Sequence, residues 1–125
     1  MSQGVSAVTF MYNEASTLKE SLESIRNFVS EIIIYDLEST DGSAEIAVQY
    51  TKRVYTVPYL LCGDGYKMDL LRKAQHSWVL WFYPDEIFPR GTAEVLQRLT
   101  DQSKYDAYLF MRQEWMDGVR VGYND

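Results

Sequence analysis

The sequence predicts an α/β fold, a three-layer sandwich with a mostly parallel sheet. The first observation is that apolar runs of strand length alternate with segments whose apolar residues recur at helical spacing, giving four strands separated by three helices. The second is that the runs at 31–36 and 78–83 are apolar along most of their length, as expected of strands buried on both faces. Right-handed crossovers then predict the spatial order 3-2-1-4, with the winding direction switching between the first and fourth strands.

The first half of the chain contains two strand–helix units. The first strand lies within 4–12 and is expected to span 5–11. A helix at 16–29 follows, because the segment starts with Ser and Thr and then repeats Leu, Ile and Val at helical spacing. The short apolar strand at 31–36 leads into 39–50, which predicts a turn followed by a second helix.

The second half continues the alternation. A third strand is predicted at 53–57, and a glycine-bearing loop connects it to a helix at 67–75. The fourth strand, 78–83, ends at a proline and two adjacent carboxylates. A last helix is predicted at 91–99.

The C-terminal segment 105–123 predicts a β-hairpin with a turn at Asp117 and Gly118. Its aromatic residues belong to a chain that has ten tyrosines and three tryptophans, which is many for this length. Exposed apolar patches commonly become interfaces, so we expect a homodimer formed through these strands. The alternative is that the same aromatic side chains fill the core.

Composition restricts the classes of function. With 125 residues the chain is expected to form one domain, and its net charge of −6 argues against a nucleic-acid partner, which would require a surplus of Lys and Arg. No apolar run approaches the roughly 20 residues of a membrane-spanning helix, so membrane insertion is not expected. No basic segment precedes the first apolar run, so no secretory signal is predicted and the expected location is cytoplasmic.

A metal, if bound, is expected to have oxygen ligands. Cys62 and His76 are the single cysteine and the single histidine, and they cannot form a zinc-type cluster. Ligands of open α/β sheets bind beyond the carboxyl ends of the strands, which selects the loops at 12–15, 36–43 and 83–89. Four carboxylates lie in these loops: Glu14, Asp36, Asp85 and Glu86. Their mutual repulsion predicts a divalent cation, Mg²⁺ or Mn²⁺, held together with a ligand's phosphates.

Each loop motif also has a purely structural interpretation. The segment "YNEA" can be a turn before a helix, "STDGS" a helix cap, and "PDE" a solvated turn. Taken singly, such motifs are more often structural than functional. Their order and spacing along one chain favour a shared site.

The chain resembles the family-2 glycosyltransferases of GT-A fold across nearly all of its length. "VSAVTFMYNEASTLKESLESI" is similar to their opening strand and helix, and "WVLWFYPDEIFP" to their "ILFLDADE" segment. The most specific match is "EIIIYDLESTDGSAEIA", which resembles their "EIIVVDDGSTDGT" segment. The resemblance implies a Rossmann-like half that binds a nucleoside diphosphate sugar.

The resemblance also implies roles for eight residues. The nucleotide-binding positions are Phe10, Tyr12, Glu14, Asp36, Ser39, Lys67 and Tyr83, and the metal ligand is Asp85. Among them, Asp36 would bind the base, typically uracil, and Lys67 would lie near the donor phosphates. The implied ligand is therefore a UDP-sugar with Mg²⁺ or Mn²⁺. The metal ion is expected to bind weakly and only when the nucleotide is present.

The sequence departs from the family pattern at several positions. Tyr83 replaces the first Asp of the DxD motif, Leu37 and Glu38 replace the second Asp and the Gly of "DDGS", and Met68 lies near the position of an expected Asn. No motif identifies a catalytic base, for which the only late acids are Glu114, Asp117 and Asp125. The catalytic residue therefore stays unknown.

Two functions remain open on the sequence alone. One is a glycosyltransferase, or its donor-binding half, as the joint presence of Asp36, Lys67 and Asp85 suggests. The other is an inactive, shortened module that acts in binding or oligomerisation, as Tyr83 and the missing acceptor half suggest. Resemblance of fold decides neither.

Overall fold

A four-stranded parallel sheet forms the centre of the protein. The computed structural model describes residues 4–102, 104–110, 112–116 and 119–124. The strands of the sheet are β1 (Val5–Met11), β2 (Glu31–Asp36), β3 (Val54–Thr56) and β4 (Trp78–Trp81). All neighbouring pairs are parallel and the order is β3-β2-β1-β4, which confirms the predicted order 3-2-1-4.

Helices connect the strands as the alternation predicts. They are α1 (Ala15–Ile25), α2 (Ser43–Ala47), α3 (Lys67–Lys73) and α4 (Thr92–Gln102), with a short 3₁₀ helix at Gly63–Tyr66 before α3. The predicted helix at 16–29 is too long by about one turn. The reason is that Ser30 N–H donates to the Val5 carbonyl oxygen at 2.8 Å, so the chain must leave the helix to enter β2.

The sheet is covered on both faces, as its apolar strands require. On one face, α1, α2 and α4 contribute Leu18, Leu22, Ala47 and Leu96 to a core that includes residues of β1, β2 and β4. On the other face, Leu70 of α3 packs in a smaller core with residues of β1 and β2. The alternation within β2 shows this division, because Ile32 and Ile34 face the first core and Ile33 faces the second.

A charged network holds the amino ends of the strands together. The carboxylate of Glu31, at the start of β2, accepts from Arg53 Nη1 at 2.5 Å, from Ser6 Oγ at 2.6 Å and from Gln75 N–H at 2.7 Å. The side chain of Glu31 is only 10% exposed. Burial by itself would raise the pKa of Glu31, but these hydrogen bonds outweigh burial and lower it.

The C-terminal segment differs in part from its prediction. Strands β5 (Arg112–Met116) and β6 (Val119–Asn124) pair antiparallel in a separate sheet, and the predicted turn at Asp117 and Gly118 lies outside the described residues. No strand forms over 104–110. Instead, the Tyr108 hydroxyl donates to the Leu99 carbonyl oxygen at 3.2 Å, which anchors this stretch to α4.

Aromatic residues before β5 are divided between packed and exposed positions. The Tyr108 ring lies 5.8 Å from that of Trp78, whereas Tyr105, Leu109 and Phe110 are exposed. Tyr108 is therefore half-buried against Trp78 outside the two cores, the other three are exposed, and the homodimer stays a prediction. Among the residues described, no helix has the length and apolar character needed to cross a membrane.

Candidate functional site

A cleft of about 430 Å³ opens at the carboxyl ends of β1, β2 and β4. Five of the eight residues predicted for the site line it: Phe10, Tyr12, Glu14, Tyr83 and Asp85. This is the edge at which a parallel sheet of this order binds ligands, because the crossover from β1 leads to β2 on one side of β1, whereas β4, reached from β3, lies on its other side. The remaining three, Asp36, Ser39 and Lys67, lie beside the cleft without lining it.

Three aromatic side chains, Phe10, Trp81 and Tyr83, form what we call the aromatic wall. Their ring centroids lie 5.9–6.1 Å apart, and Tyr83 meets both other rings edge to face. Gly63 packs so closely against Phe10 that a Cβ at this position would lie 2.2 Å from the ring. This close approach explains why residue 63 is a glycine. Tyr83, the departure from DxD, thus has a packing role.

Lys67, the first residue of α3, lies on the aromatic wall. Its Nζ is 5.0 Å from the centre of the Trp81 ring, a distance at which the ring attracts a cation. The ammonium group is therefore positioned near the cleft by packing rather than by an ion pair.

Glu14 and Asp85, which we call the acid pair, supply the negative charge of the cleft. The pKa of Glu14 is raised, first because burial disfavours its charged form and second because the charge of Asp85 repels it; Asp41 adds to the repulsion. Asp85 is exposed, while Glu14 is partly buried. A cation placed between them would relieve the repulsion.

The other two predicted carboxylates have structural partners. Asp36 is only 3% exposed and its Oδ1 accepts from Ser39 N–H at 3.0 Å. Glu86 turns back, and its Oε1 accepts from Tyr83 N–H at 2.9 Å. The expectation that four carboxylates meet is therefore corrected to two in the cleft. Within the described ranges, no group of three or more Asp, Glu, His or Cys side chains is placed to hold a metal.

Side chains of the loops after β1 and β2 join the two loops. Asn13 N–H donates to Ser39 Oγ at 2.9 Å, and Thr40 N–H donates to Asn13 Oδ1 at 2.7 Å. Asn13 has φ of 53°, a left-handed conformation that Asn tolerates better than most residues. The hydroxyl of Ser39, predicted to shape the nucleotide site, is thus already engaged.

The same junction continues at the start of α1 and α2. Asp41 accepts from Ala15 N–H at 3.0 Å and from the Ser43 hydroxyl at 2.6 Å, and these bonds help to lower the pKa of Asp41. Ser43 Oγ accepts from Glu14 N–H at 2.8 Å. We call Asn13, Ser39, Thr40, Asp41 and Ser43 the loop clamp. It fixes the backbone of Glu14 and so places one member of the acid pair.

Sequence reasoning missed two parts of this site. The first is the loop clamp, whose only signal is the density of Ser, Thr, Asn and Asp, residues that often bond to backbone. The second is the outer loop, residues 57–62, which contributes Tyr59, Leu60 and Leu61 to the cleft. Its signal was an apolar run in a loop, and Leu61 is indeed 94% exposed.

Comparison with known proteins gives a family for the whole chain. A family model described as glycosyl transferase family 2 matches residues 6–123. Among curated proteins, an uncharacterized glycosyltransferase of Rickettsia felis is 29% identical over 105 residues, and one of Rickettsia bellii is 26% identical over 109 residues. These alignments cover 84% and 87% of the chain. The chain spans 37% of the length of each of these relatives.

Solved structures with the same fold include a mannosyltransferase and a glucosyl-3-phosphoglycerate synthase. TarS 1-349 of S. aureus superposes with a TM-score of 0.68 at 21% identity, over 79% of this chain and 32% of that one. The mannosyltransferase PcManGT of Pyrobaculum calidifontis, solved with GDP-Man and Mn²⁺, superposes with a TM-score of 0.65 at 19% identity. This match covers 83% of this chain and 33% of that one.

A third structure, glucosyl-3-phosphoglycerate synthase of M. tuberculosis with Mn²⁺ and UDP-glucose, gives a TM-score of 0.56 at 26% identity, over 70% of this chain and 35% of that one. At the lower identities of the other two, the likeness concerns the fold alone. The fold predicted from the strand order is therefore shared with glycosyltransferases of GT-A type.

Proposed function

Since the chain belongs to glycosyl transferase family 2, we propose that it binds a nucleoside diphosphate sugar, in the first place a UDP-sugar, together with Mg²⁺ or Mn²⁺ for glycosyl transfer. The observation that carries the proposal is the acid pair in the cleft at the carboxyl ends of β1 and β4, where the pKa of Glu14 is raised. An acidic cleft would repel a diphosphate unless a cation accompanied it.

The metal end of the site is assigned to Asp85. All-oxygen ligands suit Mg²⁺ and Mn²⁺, and one or two carboxylates commonly hold such an ion together with phosphates. A bound divalent ion supplies charge neutralisation for the departing diphosphate. Lys67 is assigned to the same diphosphate as a second positive charge, which its place over Trp81 allows after a side-chain rotation.

The nucleoside end is assigned to Phe10, Tyr12, Asp36 and Ser39. Tyr12 is 42% exposed at the cleft and offers a ring face on which a base can stack. Asp36 and Ser39 support this end through the 3.0 Å bond that shapes the turn after β2. A direct bond from Asp36 to uracil, as the resemblance implies, requires this buried carboxylate to gain access to the cleft.

Transfer itself needs more than donor binding. An acceptor must be held in line and a base must take its proton. The candidate late acids Asp117 and Asp125 lie outside the described residues. No sequence motif identifies a base, and the chain spans 37% of the length of its first two curated relatives. We therefore expect the isolated chain to bind donor and to transfer sugar negligibly unless a partner or further segment completes the site.

A second candidate function is oligomerisation in the cytoplasm as a binding module. The observation that favours it is the exposure of Tyr105, Leu109 and Phe110 just before β5. Sedimentation at micromolar concentration tests the expected homodimer. A monomer at all concentrations would remove this candidate without affecting nucleotide binding.

Calorimetric titration with UDP, GDP and their sugars, with and without Mn²⁺, tests the proposed function. We expect UDP to bind with Mn²⁺, Mn²⁺ alone to bind feebly, and Asp85→Ala to weaken UDP–Mn²⁺ by roughly 10- to 100-fold because a charge-assisted ligand is lost. Asp101→Ala, which removes an exposed acid on α4, is the matched control. Tight Mn²⁺ binding without nucleotide, or parent-like affinity in Asp85→Ala, would contradict the assignment.

Incubation with labelled UDP-sugars and simple acceptors separates the enzyme from the binding module. We expect no turnover above background. Turnover that disappears in Asp85→Ala would establish an active glycosyltransferase in these residues. Absence of any nucleotide binding would leave only an inherited fold.

A further inference from the structure

Tyr12, the ring proposed to receive the base, is in contact with a second tyrosine. The ring centroids of Tyr12 and Tyr59 lie 4.7 Å apart with an interplanar angle of 56°. Both side chains are about half exposed, at 42% and 45%, and both line the cleft. The contact therefore lies at the mouth of the cleft and not in the core.

The backbone that carries Tyr59 is tied down at three neighbouring points. Tyr59 N–H donates to Glu38 Oε1 at 2.9 Å, and Val57 N–H donates to the Asp36 carbonyl oxygen at 2.9 Å. The Tyr66 hydroxyl donates to the Pro58 carbonyl oxygen at 2.6 Å. The ring of Tyr59 is thus attached to a fixed backbone and can move chiefly by rotation of its own side chain.

Glu38 adopts an unfavourable backbone conformation while making this bond. Its φ is 63°, in the left-handed region that favours glycine. A glutamate is strained there, but it is the residue whose carboxylate reaches Tyr59 N–H. The bond between Glu38 and Tyr59 joins the loop after β2 to the outer loop and holds Tyr59 beside Tyr12.

We propose that Tyr59 covers the base-binding face of Tyr12 in the unliganded chain, and that Glu38 positions this cover. The proposal rests on the proposed function. A base inserted between two rings needs roughly 7 Å between them, two van der Waals contacts of about 3.5 Å each. The observed 4.7 Å is too short, so a base can stack on the face of Tyr12 that is turned toward Tyr59 only after the ring of Tyr59 has turned aside.

The cover acts on the base and not on the diphosphate. Tyr59 comes from the loop after β3, at one edge of the sheet, whereas Asp85 comes from the loop after β4, at the opposite edge. A ligand that carries only the diphosphate and metal should therefore not sense Tyr59. Inorganic pyrophosphate with Mn²⁺ is such a ligand.

Calorimetry on Tyr59→Ala tests the cover. We expect UDP–Mn²⁺ and GDP–Mn²⁺ to bind about three- to tenfold more tightly than to the parent, because a single ring contact no longer has to be broken. Pyrophosphate–Mn²⁺ should bind equally to both proteins. Tyr59→Phe keeps the ring and is expected to behave like the parent.

The outcomes separate the cover from the proposed function. Weaker UDP binding to Tyr59→Ala would overturn the cover and make Tyr59 a supporting wall of the base site. Equal UDP binding to parent and variant would also overturn the cover while leaving the proposed function intact. Failure of both proteins to bind any nucleotide would overturn the two together.

Amide hydrogen exchange in the absence of ligand tests the part played by Glu38. Glu38→Gly removes the acceptor and also relieves the strained φ, so the fold is retained. We expect faster exchange of the Tyr59 amide in Glu38→Gly, parent-like exchange in Glu38→Gln, and about twofold tighter UDP–Mn²⁺ binding in Glu38→Gly alone. Unchanged exchange or unchanged UDP affinity in Glu38→Gly would overturn the positioning role.

Discussion

The two ends of the parallel sheet each carry a partly buried glutamate in opposite electrostatic surroundings. At the amino end, Glu31 faces Arg53 and receives three hydrogen bonds, and its pKa is lowered. At the carboxyl end, burial and the neighbouring carboxylate of Asp85 raise the pKa of Glu14. The first carboxylate has a positively charged partner within the protein, whereas the second faces further negative charge.

This difference distinguishes the end of the sheet whose charges stabilise the fold from the end whose charges suit the binding of a ligand. Compensated charge favours the folded state, since its partners are in place before any ligand arrives. Uncompensated charge in a cleft costs stability and is expected where a ligand or cation supplies the missing partner. A carboxylate with a shifted pKa can be of either kind, and its charged partners decide between them.

The largest expected loss of stability is at the amino end of the sheet, around Glu31. Glu31→Ala should lower the free energy of unfolding by about 2–4 kcal/mol, because it leaves Arg53 without its counter-charge and two further donors unpaired. Urea denaturation at pH 7 measures the loss. Glu20→Ala, an exposed glutamate on α1, is the control and should change stability little.

The pH dependence of the same variant shows whether the charge of Glu31 stabilises the fold. Because the folded pKa of Glu31 is lowered, its contribution is complete above the usual glutamate pKa of about 4.3 and is lost as the pH falls through the folded value. Parent and Glu31→Ala should therefore converge in acid. A difference that stays constant down to pH 2 would show that the charge of Glu31 is not what stabilises this end.

A smaller effect is expected at the loop clamp of the carboxyl end. Ser43→Ala should cost about 1–2 kcal/mol, since Glu14 N–H loses its acceptor at a fully buried side chain. It should also weaken UDP–Mn²⁺ several-fold by loosening Glu14. Ser16→Ala, an exposed serine in the first turn of α1, is the comparison variant. Loss of stability with unchanged affinity would mean that the clamp does not position the acid pair.

The smallest effect concerns the uncompensated glutamate itself. Because the folded pKa of Glu14 is raised, the folded state binds its proton more tightly, so stability falls as the pH rises from the usual glutamate pKa to the raised value. Glu14→Gln removes this penalty and should be slightly more stable than the parent at pH 7, with no such gain well below pH 4.

Thermal unfolding over a pH series detects this change. UDP and Mn²⁺ should stabilise the parent further, because a ligand bound only by the folded state adds its binding free energy and its cation compensates the acid pair. A variant less stable than the parent at pH 7 would contradict the penalty that burial and the charge of Asp85 place on charged Glu14.

Much of the fold was predictable because its signals are local. Each strand and helix has its own periodicity, which gave the order of elements along the chain, and right-handed crossovers then gave the 3-2-1-4 topology. The ends of elements were less predictable. The helix at 16–29 ends at Ile25 because Ser30 bonds to Val5, a contact between residues that no local pattern relates.

By itself, the sequence determined that a parallel sheet brings Tyr12, Glu14 and Asp85 to one edge, since the carboxyl ends of parallel strands meet there. Only the tertiary structure decided which polar groups remain available to a ligand. Asp36, Ser39 and Glu86 are engaged with backbone, while Glu38, a departure from the family's glycine, holds Tyr59 against Tyr12. These bonds depend on distances between loops that are separated by other elements, and such distances are set by strand register and packing, which residue types alone do not specify.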